Sequence, residues 1–217
     1  MKKWTGLFLC IVLSTACNDN VAETVSEVQD TLQEAVVEEE VSKVYRSFPQ
    51  VFQYLEAQDP TFSEDSFLLA GENKVEPVPA AKIDEKQFEP FQKYLIYNGD
   101  STQALDLYSY NYIAINRNGK QRLEEAGPDA EAAVVDIKNR TRRRIFFGGP
   151  SYALWDAKWV TDKEVLLIGA EMGEGDKMIP TIWQINLGDT SIQVFAYEGG
   201  VKADMERYKK EKLDMGN

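Results

Sequence analysis

The sequence predicts a mainly β fold, an antiparallel meander of about eight strands with helices toward both ends. Three observations predict it. Between residues 94 and 197, short runs that are apolar throughout or at every second position alternate with polar breaks. The breaks have tight-turn chemistry, as in Asn116-Arg117-Asn118-Gly119, Lys138-Asn139-Arg140-Thr141, Thr161-Asp162-Lys163 and Leu187-Gly188-Asp189-Thr190. The stretch AVVDIKNRTRRRIFF (133–147) also lines up with TIWQINLGDTSIQVF (181–195), each reading as strand, polar turn, strand.

The chain opens with MKKWTGLFLCIVLSTA (1–16), two lysines before an apolar run and small residues at the end, the layout of a cleaved export signal. That run is too short to cross a hydrocarbon core of roughly 30 Å, and no later stretch is long enough. Its ending, Leu13-Ser14-Thr15-Ala16-Cys17, resembles the lipobox of bacterial lipoproteins. Leu13 stands four residues before the cysteine, a spacing similar to lipoboxes of Bacteroidetes-type bacteria, and Asn18-Asp19-Asn20 resembles their surface-export signal. The resemblance implies cleavage before Cys17, acylation of that residue, and a mature chain held at the cell envelope, at the outer membrane or cell surface rather than the inner membrane. Several acyl chains, at about 0.8 kcal/mol per buried methylene, make a stable anchor.

Residues 17–46 read as an acidic spacer. Val21, Val25, Val28 and Leu32 recur at helical spacing, but the stripe runs into Glu38-Glu39-Glu40 and supports a partly helical linker rather than a sustained coiled coil. Within 47–93, Phe48, Val51, Phe52 and Leu55 continue a helical pattern that Asp59-Pro60 should end, because the residue before proline is pushed out of helical geometry. An irregular, proline-spaced connector follows, with one strand expected at 67–70.

The domain at 94–200 is expected to hold strands near 104–109, 112–117, 132–138, 142–147, 155–160, 164–170, 180–187 and 190–197. Grouped by the internal similarity, 103–147 and 153–197 form two four-stranded units about 48 residues apart. Their period and strand–turn–strand endings resemble β-propeller blades. A propeller needs four or more blades, so the resemblance implies either two units packed as a small sandwich or a fragment completed by another chain. Residues 201–217 are charged and helix-compatible, with Met205, Tyr208 and Leu213 as docking residues.

Composition narrows the chemistry. With 36 acidic and 24 basic residues the chain carries a formal net charge of −12, which repels nucleic acid. Histidine is absent, and the two cysteines, Cys10 and Cys17, both fall at the leader. The commonest general base, serine triads and ordinary zinc sites therefore have no residues to use. Neither a cofactor nor a metal is called for, and no nucleotide-binding or nucleophile-elbow motif occurs.

The remaining candidates are few. Arg140, Arg142, Arg143 and Arg144 make one basic cluster, and alternation places Arg142 and Arg144 on one face, where they could grip a carboxylate or phosphate or neutralise nearby acids. Trp155 and Trp159, an even number apart, are expected to share a face, either as core or as a sugar-stacking platform. Tyr108, Tyr110 and Tyr112 alternate onto one face in the same way. Asp106, Asp136, Asp156 and Glu171 are strand carboxylates from which an acid–base pair could be drawn, and Glu171 to Lys177 is an acidic loop in which Lys177 competes with any calcium ion. Speculative ligand contacts are thus Arg142, Arg144, Trp155 and Asp156, with Cys17 as the lipidated residue. The expectation is a membrane-anchored, non-catalytic envelope lipoprotein that recognises a protein or glycan. The alternatives are a carboxylate-dependent polysaccharide hydrolase and an assembly component of an envelope complex. Oligomeric state is left open.

Overall fold

The first helix, α1 (Pro49–Gln58), forms where the periodicity places it, with proline in the first turn and Val51, Phe52 and Leu55 buried along one side. It stops at Asp59, which is extended, as the following proline requires. The computed structural model describes residues 47–117 and 119–213. The leader 1–16, Cys17 and the 17–46 spacer with its helical stripe lie outside the described residues. All of the described residues belong to one compact unit.

Along the chain, α1 is followed by β1 (Phe67–Lys74), β2 (Ala81–Lys82), the short α2 (Glu85–Phe88), β3 (Ile96–Tyr97) and β4 (Gln103–Asp106). Next come the hairpin of β5 (Tyr112–Arg117) and β6 (Lys120–Glu125), then β7 (Ala130–Asp136) and β8 (Thr141–Gly148). The last strands are β9 (Tyr152–Thr161), β10 (Glu164–Met172), β11 (Met178–Asn186) and β12 (Ser191–Tyr197), closed by α3 (Met205–Lys212). Two five-stranded antiparallel sheets result, ordered β1-β12-β11-β10-β9 and β2-β8-β7-β4-β3, with β5 and β6 paired apart from both. The chain is therefore mainly β, and the two sheets pack as a sandwich.

One hydrophobic cluster lies between the sheets. Leu105, Val134, Ile145 and Phe146 from one sheet meet Val165, Leu167, Trp183 and Ile185 from the other. A second cluster covers the opposite face of the β9–β12 sheet, where Leu166, Ile168, Ile182 and Phe195 pack against α1 and against Met205 and Tyr208 of α3. The β9–β12 sheet is thus a shared wall, which explains why β10 is apolar without alternation: Val165 to Ile168 are all buried, successive side chains entering opposite cores. Each such side chain contributes about 1.5–3 kcal/mol of burial. Gly169 is fixed by the same crowding, since a Cβ there would stand 1.9 Å from the Ala153 carbonyl oxygen.

The expected 153–197 unit forms as a simple meander, but the first unit differs. Its second strand, β5, leaves the sheet and pairs with β6, while β4 pairs directly with β7, Ala104 opposite Val135. The cause is local: the Asp106 carboxylate accepts from the backbone N–H groups of Tyr108 and Ser109, each at 3.0 Å, and turns the chain out of the sheet. The tyrosine alternation is lost with it. Tyr108 and Tyr112 are buried in ring contact at 5.6 Å, whereas Tyr110 is exposed and meets Phe147. β1 also runs four residues past the expected 67–70 strand, paired along β12 with an irregularity between Leu69 and Gly71.

Candidate functional site

The seam between the sheets opens into a groove of about 630 Å³ on the side where β1 and β8 face each other. Trp183 and Phe146 form its floor, with ring centroids 4.7 Å apart, and Tyr152 stands 6.3 Å from each of them. Ile192 and Val194 of β12, with Val75 and Val78 just beyond β1, complete an apolar wall. A bulge in β8 arranges the floor. Ala132 pairs with Phe146 and Ala133 with Arg144, so Ile145 is the extra residue and both Ile145 and Phe146 turn inward. Arg144 and Phe147 remain at the rim, the guanidinium carbon 5.1 Å from the ring centroid. Glu171 is the groove's acid, and its carboxylate lies beside the Tyr152 hydroxyl. Burial first, then that negative charge, raises the phenol's pKa above its ordinary value, so Tyr152 faces the groove as a neutral hydroxyl.

Behind the rim is a network of buried charge. Asp106 and Glu131 are 1% and 3% exposed. Asp106 accepts from Nε of Arg142 at 2.7 Å and from the Ser109 hydroxyl, and one Glu131 oxygen accepts from the second Arg142 nitrogen. Burial works against the Arg142 charge, but the two carboxylates outweigh it and raise the guanidinium's pKa above its usual value. Nε and Nη1 of Arg142 are therefore spent on internal acids, while its Nη2 is buried with no hydrogen-bond partner among the described residues. Arg144 is more open: it reaches the other Glu131 oxygen only at 3.5 Å and its side chain remains 40% exposed.

A second, more polar cleft of about 440 Å³ lies where α3 meets the β5–β6 hairpin, lined by Tyr108, Tyr112, Glu125, Glu206 and Lys209. Lys209 Nζ stands 2.5 Å from Glu206 and 3.6 Å from Glu125. Burial opposes its charge, and Tyr112 with the two carboxylates more than restores it, holding the amine above its ordinary pKa. A lysine kept protonated in this way is no nucleophile.

No known protein family, curated protein or solved structure matches this chain.

The four residues singled out in the sequence do not come together. Arg142 and Arg144 do share a face, bridged by Glu131. Trp155 is 1% exposed in the helix-facing core, and Asp156 is paired with Lys212 of α3 at 2.5 Å. Nor do Trp155 and Trp159 share a face, because the β9–β10 register shifts between Ile168 and Gly169. The shift sends Trp155 toward the helices, while Trp159 packs at the inter-sheet core and donates to the Ile96 carbonyl at 2.8 Å. The strand carboxylates are engaged separately: Asp106 with Arg142, Asp156 with Lys212, Asp136 with the Asn139 amides, and Glu171 beside Tyr152. Among the described residues, no group of three or more metal-ligating side chains gathers, the loop from Glu171 to Lys177 included. Sequence reasoning missed the groove. Its aromatic residues were visible as core, but the β1 side that makes it a concavity depends on a pairing with β12 that no motif announces.

Proposed function

We propose that this chain is a lipid-anchored, non-catalytic recognition protein of the bacterial cell envelope, tethered through Cys17 and binding its partner in the groove between the two sheets. One observation carries the reading: a concavity of about 630 Å³ with an aromatic floor and few polar groups, within the range and character of ligand sites. Recognition is favoured over hydrolysis because Glu171 is the one carboxylate among the described residues lining the groove, so no pair of carboxylates meets there, and Asp106, Glu131 and Asp156, outside it, are tied to Arg142 and Lys212. Of the partner classes considered from the sequence, the apolar floor favours one that presents an apolar group over a bare glycan. No described helix is long and apolar enough to cross a membrane, and the proposed anchor is the acylated cysteine.

Two measurements test this reading. Labelled palmitate should enter the chain in a lipoprotein-processing bacterium and be lost on Cys17→Ser, with the protein leaving the membrane fraction. A neutral polarity-sensitive dye such as Nile red should bind the form beginning after Cys17 at one site, and Val194→Trp or Val78→Trp, each placing a ring in the groove, should remove that binding while the fold persists by circular dichroism. Dye binding that ignores both tryptophans, or glycoside or ester turnover that disappears with Asp156→Asn or Glu171→Gln, would place the protein in another class.

A further inference from the structure

We infer that the groove takes a single-chain amphiphile with a carboxylate head, its apolar tail on Trp183, Phe146 and Tyr152 and its head at Arg144. The inference rests on the groove being the binding surface, as proposed above, and adds the chemistry of what occupies it.

Electrostatics selects the head. Arg144 is the one cation among the described residues lining the groove, on a protein of net charge −12. Its neighbour Arg142 has already claimed Asp106 and one oxygen of Glu131. The remaining Glu131 oxygen is 3.5 Å from Arg144, at the limit of a hydrogen bond, which leaves a half-exposed guanidinium with donors free for a planar, bidentate acceptor. Phe147, under the Arg144 guanidinium, orients it from one side. The acid of the groove, Glu171, is beside the Tyr152 hydroxyl, so a ligand anion is attracted toward Arg144 and repelled from the Glu171 side. A ligand cation or a sugar finds no comparable set of partners along the Trp183–Phe146 floor.

Shape and polarity select the tail. Trp183 and Phe146 are buried to 3% and 8% exposure, yet they face a concavity, and Val75, Val78, Ile192 and Val194 extend the apolar surface beside them, while Asn73, Glu171 and Tyr152 are the polar side chains that line the groove besides Arg144. The apolar stretch gains from a flexible hydrocarbon at about 25 cal/mol per Å² removed from water and leaves a polar chain laid along it without partners.

The test titrates sodium dodecanoate and dodecan-1-ol, each below its aggregation range, into the form beginning after Cys17, reading Trp183 fluorescence with Trp183→Phe as the blank. Dodecanoate is expected to bind about tenfold or more tightly than the alcohol, and Arg144→Gln to erase that preference while leaving alcohol binding in place. Arg144→Lys should restore part of it. Vesicles of phosphatidylglycerol are the arm for a membrane headgroup as the source of the anion. If vesicles bind and dodecanoate does not, or if the carboxylate preference survives Arg144→Gln, the inference is overturned. Nile red binding that persists while neither amphiphile binds overturns the inference and leaves the groove reading standing; loss of both overturns both.

Discussion

The Tyr208 hydroxyl is buried at the junction of α3 with the helix-facing core and has no hydrogen-bond partner among the described residues. Burial, with a smaller contribution from the Asp156 charge, pushes its pKa up to about 12, so it stays neutral and idle rather than acting as an acid. The ring itself is well used, packing at 5.3 Å on Tyr54, whose own hydroxyl donates to the Asp204 carbonyl and ties α1 to the start of α3. An unpaired buried hydroxyl costs about 1–3 kcal/mol, whereas the apolar body contributes favourably. Tyr208→Phe is therefore expected to raise stability by about 1 kcal/mol, measured as a higher midpoint in urea with an unchanged slope; a lower midpoint would show that the hydroxyl has a partner. Single residues also explain where reading by alternation stopped working. Arg142 and Arg144 kept their common face because β8 is regular between them, whereas the β9–β10 register shift separated Trp155 from Trp159. Parity arguments hold only as far as the ladder is unbroken, and a bulge leaves no mark in composition.

At the scale of elements, the legible ones were those with a strong period and chemically marked ends. The helix stopped at Asp59, β9 to β12 formed between their turns, and Met205, Tyr208 and Leu213 all became buried. β6 was not legible, because Lys-Gln-Arg-Leu-Glu-Glu reads as a polar loop with Leu123 as its core residue. Its strand geometry comes from its partner β5, not from its own propensity. The extension of β1 is similar: Gly71-Glu72-Asn73-Lys74 carries no strand signal, but an edge strand needs only a template on one side, and β12 supplies it. The helices pose a separate question, whether α1 docks as an independent flap or as part of the folded body. Leu55 is fully buried in the cluster that contains Leu166, Ile168 and Ile182 of the shared sheet. Because the other face of that sheet carries the inter-sheet core, removing Leu55 loads both layers at once. Leu55→Ala is expected to cost about 2–5 kcal/mol in one cooperative transition. A separate early transition for the helices, seen by comparing Trp155 fluorescence with far-ultraviolet dichroism, would show that α1 docks independently.

For the whole molecule, the distribution of ionisable groups fixes how stability depends on pH. The chain has no histidine, and its two cysteines fall outside the described residues. Among the described residues, the aspartates with displaced pKa values lie in turns or where a strand enters one. Asp59, Asp100 and Asp189 accept from the Thr61, Thr102 and Ser191 side chains and amides, and Asp136 from the Asn139 amides, all four shifted downward by these bonds. Glu85 is lowered by its hydrogen bond and charge pairing with Arg140. A group whose pKa is depressed by folding adds stability that is fully present above its unfolded value, about 3.9 for aspartate, and is lost as pH falls through the folded value. The opposite displacement occurs among the buried phenols. Tyr108, Tyr112 and Tyr208 are raised chiefly by burial, and Lys209 stays above its ordinary value because Tyr112 and the carboxylates outweigh burial. Their contribution is complete below unfolded values of about 10 and disappears as pH rises through the folded ones. The melting temperature should therefore form a plateau from about pH 5 to 9, descend on the acid side below about pH 4 as the turn aspartates protonate, and descend on the alkaline side above about pH 10 as the buried phenols ionise. Differential scanning calorimetry across that range, at constant ionic strength, measures it directly. Because the chain has no histidine, a step between pH 6 and 8 would overturn the assignment of this profile to the turn aspartates and the buried phenols.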